Sequence, residues 1–418
     1  MTKNINIKKY INSTTLFSLF RFVFGILMIE QVLSLVPFVF DLQNSHIVLH
    51  YPNLEFIEAY SFLLIDILKY TSIAGAFLLA IGIQPRLGAL LFLMCFGYLF
   101  LIDISFYNNH YYLCCLMAFL FVVVDTHQSY NIIDIIKQNF DKQITDISTQ
   151  SFKILVSIVY LFAAFVKINP DWLQGYPAIL WFESKGVHNA NVLGLLMSYS
   201  GLFYDALMPI LLWFFPRKAW VVIPYFAFHL INSFVFNIGM FPYIMMAAWL
   251  LFAIKNNNLS IFLPNKNTVF NLRKISLNIF FLYNILFPLR FLIYDGRTSW
   301  HRQGYYFSWR MMLDNYKVNE FRFLVHLPSL NKSYQVKFDQ LMNYRQFENT
   351  YNDAYCIWYV AQKLKTDATS KYKEKNPEVY NISTIELNQH TAKLLVLSSI
   401  NLSSFNYKIL KSNKYINI

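Results

Sequence analysis

Charge is scarce in this sequence. Only 14% of its 418 residues are Asp, Glu, Lys or Arg, against about a quarter in soluble domains. Apolar residues make up 56% and aromatic residues 19%, and several apolar runs approach the roughly 20 residues that cross a bilayer. A soluble globular fold is therefore excluded and a polytopic helical membrane protein is expected. Cysteine is scarce as well. Cys95, Cys114 and Cys115 fall within apolar stretches and only Cys356 lies outside them, which rules out a disulfide framework. There is no Cys/His spacing of a zinc site, no phosphate-cradling glycine loop and no nucleophile elbow. No metal is expected, and metal hydrolysis and nucleotide chemistry lose support. Internal repeats and low-complexity linkers are absent. No small-residue cleavage site follows the basic start Lys3, Lys8, Lys9, so the first apolar run reads as a spanning helix and not as a signal peptide.

The fold class expected is an all-α polytopic membrane domain of about nine helices followed by a small α+β extramembrane domain. The spans read as Thr15–Phe40, Ile65–Ile83, Leu87–Ile102, Tyr111–Val124, Phe152–Val166, Val192–Phe215, Ala219–Phe236, Phe241–Ile254 and Ile275–Tyr294. Several are short enough to be tilted or shielded by neighbours. The net charge of +12 is no argument for nucleic acid, because the cations sit in short loops. With the N-terminus cytoplasmic, Lys3, Lys8, Lys9, Arg86, Lys137, Lys142, Lys153, Arg217, Lys218, Lys255, Lys266, Arg273 and Lys274 all fall inside, and Lys69, Lys167 and Lys185 outside. That asymmetry fits the positive-inside rule. The chain then divides into 1–295, the transmembrane domain, and 296–418, an extracytoplasmic domain on the periplasmic or lumenal side. The second part has alternating segments such as Phe321–Val325 and a helical pattern around Phe347–Leu364.

The stretch from Ile158 to Tyr176 stands out. An uninterrupted apolar helix runs into Lys167 and stops at Asn169-Pro170, because proline cannot continue the hydrogen-bond ladder. An amine held there partly out of water is disfavoured in its charged form, and a neutral amine can act as a base. The structural alternative is a snorkelling lysine that anchors the helix end.

Other polar residues sit where apolar ones would be cheaper. Asp103 to His110 joins the third and fourth spans, and Asn108 or Asn109 also suits a helix cap. Asp171 and Trp172 follow Lys167. His229 and Asn232, three apart, share one helix face, although a lone buried histidine is more often structural. Asn237, Gly239 and Met240 form the turn that follows. Trp300 to Met312 opens the outer domain. All five clusters fall on one membrane face, where a flat apolar redox ligand would suit them. Asp66 with Lys69, and Glu30 with Arg21, read as polar contacts within the bundle.

In this order, Asn109-His110, Lys167-Ile-Asn-Pro-Asp171-Trp172-Leu-Gln-Gly175-Tyr176, His229-Leu-Ile-Asn232 and Gly239-Met240-Phe-Pro242 resemble motifs of the vitamin K-dependent γ-glutamyl carboxylase family. That family includes bacterial homologues with the same transmembrane domain. Ser308-Trp309-Arg310-Met311-Met312 adds a fifth motif. The resemblance implies an enzyme, a carbon–carbon lyase. In the family a lysine deprotonates vitamin K hydroquinone, which reacts with O2 to give a base strong enough to remove a γ-proton from protein-bound glutamate. The carbanion adds CO2 and the quinol leaves as its epoxide. The base lysine falls on Lys167 and the histidine of the carboxylation half on His110. Asn108, Asn109, Asp171, Trp172, Tyr176, His229, Asn232, Gly239, Met240 and Trp309 fall among the substrate- and quinol-binding positions. The partners implied are the bilayer and a secreted protein or peptide that carries glutamate.

The chain departs from the animal pattern. Val166 replaces the first of a basic pair, Arg310 replaces an acidic residue, and the outer region is shorter, which bears on propeptide binding. The richness in Asn, Ile, Lys, Phe and Tyr points to an AT-rich genome and a bacterial inner membrane, where menaquinol would serve as the quinol. Two alternatives stand beside this reading: a quinol epoxidase or oxidoreductase that does not carboxylate, and a non-catalytic transporter or assembly protein on the same scaffold.

Overall fold

Short polar side chains mark where the apolar helices begin. Asn12, Ser61, Asn108 and Thr145 each accept a hydrogen bond from a backbone N–H in the first turn that follows them, which satisfies donors that the helix itself leaves open. The computed structural model describes residues 12–58, 61–236, 238–255 and 272–417. Lys3, Lys8, Lys9, Asn237 and Lys266 lie outside the described residues. Among the described residues the bundle is built from α1 (Ser13–Asp41), α2 (Phe62–Ile81), α3 (Pro85–Leu101), α4 (Asn109–Val123), α5 (Asp146–Lys167), α6 (Ala190–Phe214), α7 (Ala219–Val235), α8 (Phe241–Phe252) and α9 (Leu272–Leu286).

Each expected span is thus a helix, but the helices differ in length. Only α1, α2, α5, α6 and the stretch Leu272–Ile293 that includes α9 have the length and hydropathy of a span. A sixth arises if α4 counts together with Thr126–Ile136, from which it is bent by 79°. By length and hydropathy alone five or six of the nine expected crossings are supported, while α3, α7 and α8 are shorter apolar helices that fall below this criterion. The reason is geometric: α8 has 12 residues, which at about 1.5 Å per residue reach only some 18 Å of a hydrocarbon core about 30 Å thick.

Small residues let the first helices close up. A Cβ on Gly75 would lie 2.6 Å from the carbonyl oxygen of Gly88, and one on Gly88 would lie 2.6 Å from that of Gly75, so α2 and α3 touch backbone to backbone. Gly75→Leu is expected to push them apart and to destabilise the fold by about 1–3 kcal/mol, read as a lowered Tm in detergent. At the end of the bundle away from the site, cations tie helix ends together. The Arg21 guanidinium donates to the carbonyls of Leu79, Ala80 and Tyr130, and Arg217 to that of Ala253. Arg21 therefore does not pair with Glu30, which accepts from Gln31 at 2.9 Å. Asp66 and Lys69 do approach, at 3.9 Å.

The C-terminal part carries β1 (Tyr316–Leu327), β2 (Lys332–Gln335), β3 (Glu378–Leu387) and β4 (His390–Leu394), with α10 (Tyr344–Thr350) and α11 (Ala354–Tyr372) between β2 and β3. The sheet is antiparallel in the order β2-β1-β3-β4. Strict alternation of buried and half-buried residues along β3 shows one face turned to the core, the pattern of a one-sided sheet. That core is not built from its own residues alone. Ile47, Leu49, Tyr51 and Ile104, from the loops after α1 and α3, pack with Phe323, Val325, Ile357 and Val360. Asp103 fastens the junction, its carboxylate accepting from the N–H groups of Leu49 and Ser105 and from Gln346 Nε2, each at 2.8 Å.

Candidate active site

Lysine at the end of an apolar helix has to find a counter-charge or reach water. Lys167, at the last position of α5, is buried and finds Asp205, a buried carboxylate in the middle of α6. The two form a direct ion pair, and the ammonium also lies 5.1 Å from the centre of the Trp172 ring. The indole is in turn fixed by Nε1 donating to the carbonyl of Ser198 at 2.7 Å. A buried pair of this kind contributes little net stability, because desolvation offsets the attraction. Its informative property is chemical, for it keeps an amine and a proton acceptor in contact away from water.

The pair lines a cavity of about 580 Å³, within the range of small-molecule sites. Asn108, Asn109 and His110 at the start of α4, His229 and Asn232 on α7, and Arg310, Met311 and Met312 of the segment before β1 line it too. His229 is fixed by a 2.7 Å hydrogen bond between Nε2 and the Tyr160 hydroxyl and is ringed by Tyr204, Tyr225 and Phe228. His110 is buried with its ring edge-on to Tyr111. Among the described residues its imidazole makes no protein hydrogen bond, so both nitrogens remain available to a ligand. Asn108 caps α4 by accepting from the His110 N–H, and Asn109 Nδ2 donates to the Arg310 carbonyl at 3.2 Å. The two asparagines thus position the histidine and the wall beside it.

That wall is held in uncommon backbone. Arg302, Phe307, Trp309 and Met312 each have φ of +57°, a left-handed conformation that costs non-glycine residues energy and persists only where neighbours enforce it. The Phe307 N–H donates to the Tyr107 hydroxyl at 2.7 Å, and Ser308 Oγ donates to the Tyr305 carbonyl.

The cavity gathers Asn108, Asn109, His110, Lys167, Trp172, His229 and Asn232 from the sequence-derived set. Gly239, Met240, Tyr176, Trp309 and Asp171 do not line it. Gly239, at φ +59°, lies behind His110: a Cβ there would fall 3.0 Å from the imidazole Cε1. Gly239→Ala is therefore expected to displace His110 and to lower its contribution about tenfold, measured as the rate of the reaction proposed below. Met240 precedes α8 and packs against the bundle core. Tyr176 is half-buried, its N–H bound to the Asp171 carbonyl. Trp309 is fully buried against Tyr112, at 5.1 Å between rings, and its indole N–H has no partner among the described residues.

Asp171 faces the sheet. Its Oδ1 accepts from Arg297 at 3.0 Å and meets His390 Nε2 at 2.9 Å, while Oδ2 accepts from Asn388 at 2.9 Å. Gln389 donates to Gln174 beside it at 2.6 Å, so the β3–β4 turn clasps the loop that follows Lys167. Burial pushes the Asp171 carboxyl up, but the hydrogen bonds from Asn388 and His390 and the charges of His390 and Arg297 together leave it below its ordinary value. A lowered folded pKa means that the contribution is present above the unfolded value, about 3.9, and is lost as the pH falls through the folded one. Asp171→Asn is expected to lose about 1–3 kcal/mol near neutral pH, read as a lower Tm. The difference from the native protein should vanish on acidification.

Asp205 is the residue that sequence reasoning missed. Its signal was a single carboxylate inside an apolar helix, which by itself marks a functional position. Trp181 was also missed and lines the cavity. Among the described residues no three His, Cys, Asp or Glu side chains gather as metal ligands.

No solved structure matches this chain. Two family models do: the HTTM domain over residues 10–256, more than half of the chain, and the vitamin K-dependent gamma-carboxylase lumenal domain over residues 270–418. Together they cover the helical bundle and the sheet domain in the order found here. The chain belongs to the vitamin K-dependent gamma-carboxylase family.

Proposed function

We propose that this membrane protein is a γ-glutamyl carboxylase-like enzyme that couples oxidation of a quinol to carboxylation of glutamate in a protein or peptide. The observation that carries the reading is the buried Lys167–Asp205 pair in a cavity that also receives His110. The residues fit a reduced vitamin K or menaquinol. Apolar and aromatic side chains such as Trp172, Trp181, Phe228, Phe236 and Met245 would hold a flat ring, and His229 and Asn232 offer it polar contacts. When bound, the quinol supplies with O2 the driving force to remove the γ-proton, which no side chain can remove.

The chain's own contribution is to hold protons and exclude water. A protonated Lys167 cannot accept a proton. Asp205, in direct contact with the ammonium, is placed to take its proton and leave Nζ as a free amine. That amine is placed to deprotonate the quinol hydroxyl. His110, with both ring nitrogens open to the cavity, handles a proton in the glutamate half-reaction. The basic residues at the far end of the bundle favour a cytoplasmic N-terminus, which, with the nine crossings expected from the sequence, would turn the cavity and sheet domain outward, towards a secreted substrate, from a bacterial inner membrane.

The test uses purified protein in nanodiscs with reduced vitamin K, O2, labelled bicarbonate and a short glutamate peptide. Epoxide and peptide label are followed in one tube, and both are expected. Epoxide without label would favour a quinol epoxidase or oxidoreductase. Neither product, with menaquinol tried as well, would overturn the enzymatic reading in favour of a transporter or assembly role.

A further inference from the structure

A second cavity, of about 800 Å³, lies on the other side of the wall formed by α4 and the segment before β1. Tyr112 and Cys115 of α4 and Tyr306 and Phe307 face it, whereas Asn109, His110, Arg310 and Met311 face the first cavity. No residue lines both.

Its two ends differ in chemistry. At the bilayer side it is bounded by Leu93, Met94 and Gly97 of α3 and by Tyr283 of α9. Met94 is 64% exposed and Tyr283 46% exposed, so this edge opens on the apolar outer surface of the helical bundle. Gly97 contributes no side chain, and a Cβ there would meet nothing within 4 Å. The other end, under the sheet domain, holds Arg290, Arg302 and Asp353. Asp353 is already engaged, accepting from the Tyr306 hydroxyl at 2.7 Å and from the N–H groups of Tyr355 and Cys356. Burial pushes its carboxyl up from the ordinary value, although Arg302 and these hydrogen bonds pull it down. Arg290 has no acidic partner within salt-bridge distance among the described residues. Its guanidinium donates to the carbonyls of Phe287 and Tyr306 and lies 4.1 Å from the centre of the Phe287 ring. Two guanidinium groups and one carboxyl therefore close the inner end of an apolar slot that is open to the bilayer.

We propose that this cavity binds an amphiphile drawn from the membrane, with a long apolar tail between α3 and α9 and a single anionic head on Arg290. The charge argues for an anion. A neutral lipid would fill the slot but leave Arg290 uncompensated, and a bidentate acceptor such as a carboxylate or phosphate matches the guanidinium fork. The head can come from a free fatty acid or from an anionic phospholipid. The site is separate from the one that holds Lys167, so its occupancy does not depend on the reaction proposed above.

Delipidated protein in detergent, photolabelled with a photoactivatable palmitate and mapped by peptide mass spectrometry, tests this without any activity measurement. Label is expected to concentrate in 93–101 and 283–294. Unlabelled palmitate should displace it at about one-tenth the concentration of hexadecanol, a preference worth about 1.4 kcal/mol. Arg290→Gln should erase that preference. Gly97→Phe, whose side chain enters open space, should cut labelling of both segments while the Tm stays at the native value. If phosphatidylglycerol displaces the label as well as palmitate does, the occupant is a phospholipid; if it does not, a free fatty acid. Label spread evenly over the lipid-facing helices, hexadecanol competing as well as palmitate, or unchanged labelling in a stable Gly97→Phe protein would each overturn the proposal.

Discussion

Lys167→Ala is expected to lower quinol epoxidation by at least about 100-fold, the lower end of what a positioned acid–base group supplies. The same change strands Asp205 as a buried carboxylate without its counter-charge, which can destabilise a protein by about 3–5 kcal/mol. Loss of activity alone would therefore not separate chemistry from folding. The double variant Lys167→Met with Asp205→Asn does, since it removes both charges and keeps similar volumes. Its Tm should return towards that of the native protein while epoxidation stays at the level of Lys167→Ala. Near-normal epoxidation in either variant, measured with purified protein, would remove the amine from the mechanism. Recovery of activity together with stability would make the pair a structural strut.

His110→Ala should behave differently. His110 reaches the cavity from α4 and Lys167 from α5, and no hydrogen bond joins the two side chains among the described residues. Removing the imidazole is expected to lower carboxylation by about 100-fold or more while epoxidation falls far less. The ratio of epoxide formed to label incorporated rises accordingly. Parallel losses in both products would show that His110 serves quinol binding or packing and not the glutamate half-reaction. Because His110 is buried against Tyr111, the Tm of the variant belongs in the same experiment, with His110→Asn as the variant that keeps a polar side chain there.

Local patterns were read well from the sequence. Each long apolar run became a helix, because a run of that kind has to satisfy its backbone internally when lipid surrounds it. His229 and Asn232 share a face because helical spacing requires it, and both line the cavity. The alternating segment at Phe321–Val325 lies within β1. What resisted reading was pairing across the chain. Asp205 was passed over because nothing in its own neighbourhood indicates that α6 packs beside the end of α5. Asp171 shares the motif of Lys167 and Trp172, yet it turns towards the sheet, since a one-turn helix, Pro170–Leu173, points neighbouring side chains in different directions. Trp309, which the resemblance places among the binding positions, is fully buried outside the cavity lining, on a backbone conformation usually left to glycine. The number of crossings was legible only in part, because hydropathy marks a helix as apolar without saying whether lipid or protein covers it.

The loop after α1 has a consequence for biosynthesis. Its residues Ile47, Leu49 and Tyr51 complete a hydrophobic core most of whose other members come from the sheet domain far later in the chain, and the Gln346 side chain and Tyr355 hydroxyl close on the carbonyls of Ile47 and His50. A ribosome delivers the first half of this contact long before the second, and domains generally fold as they emerge. The early loop must wait, unpaired, until the sheet and α11 have been made. A protein stalled before α10 would present an unfinished apolar surface of the kind that chaperones and proteases recognise.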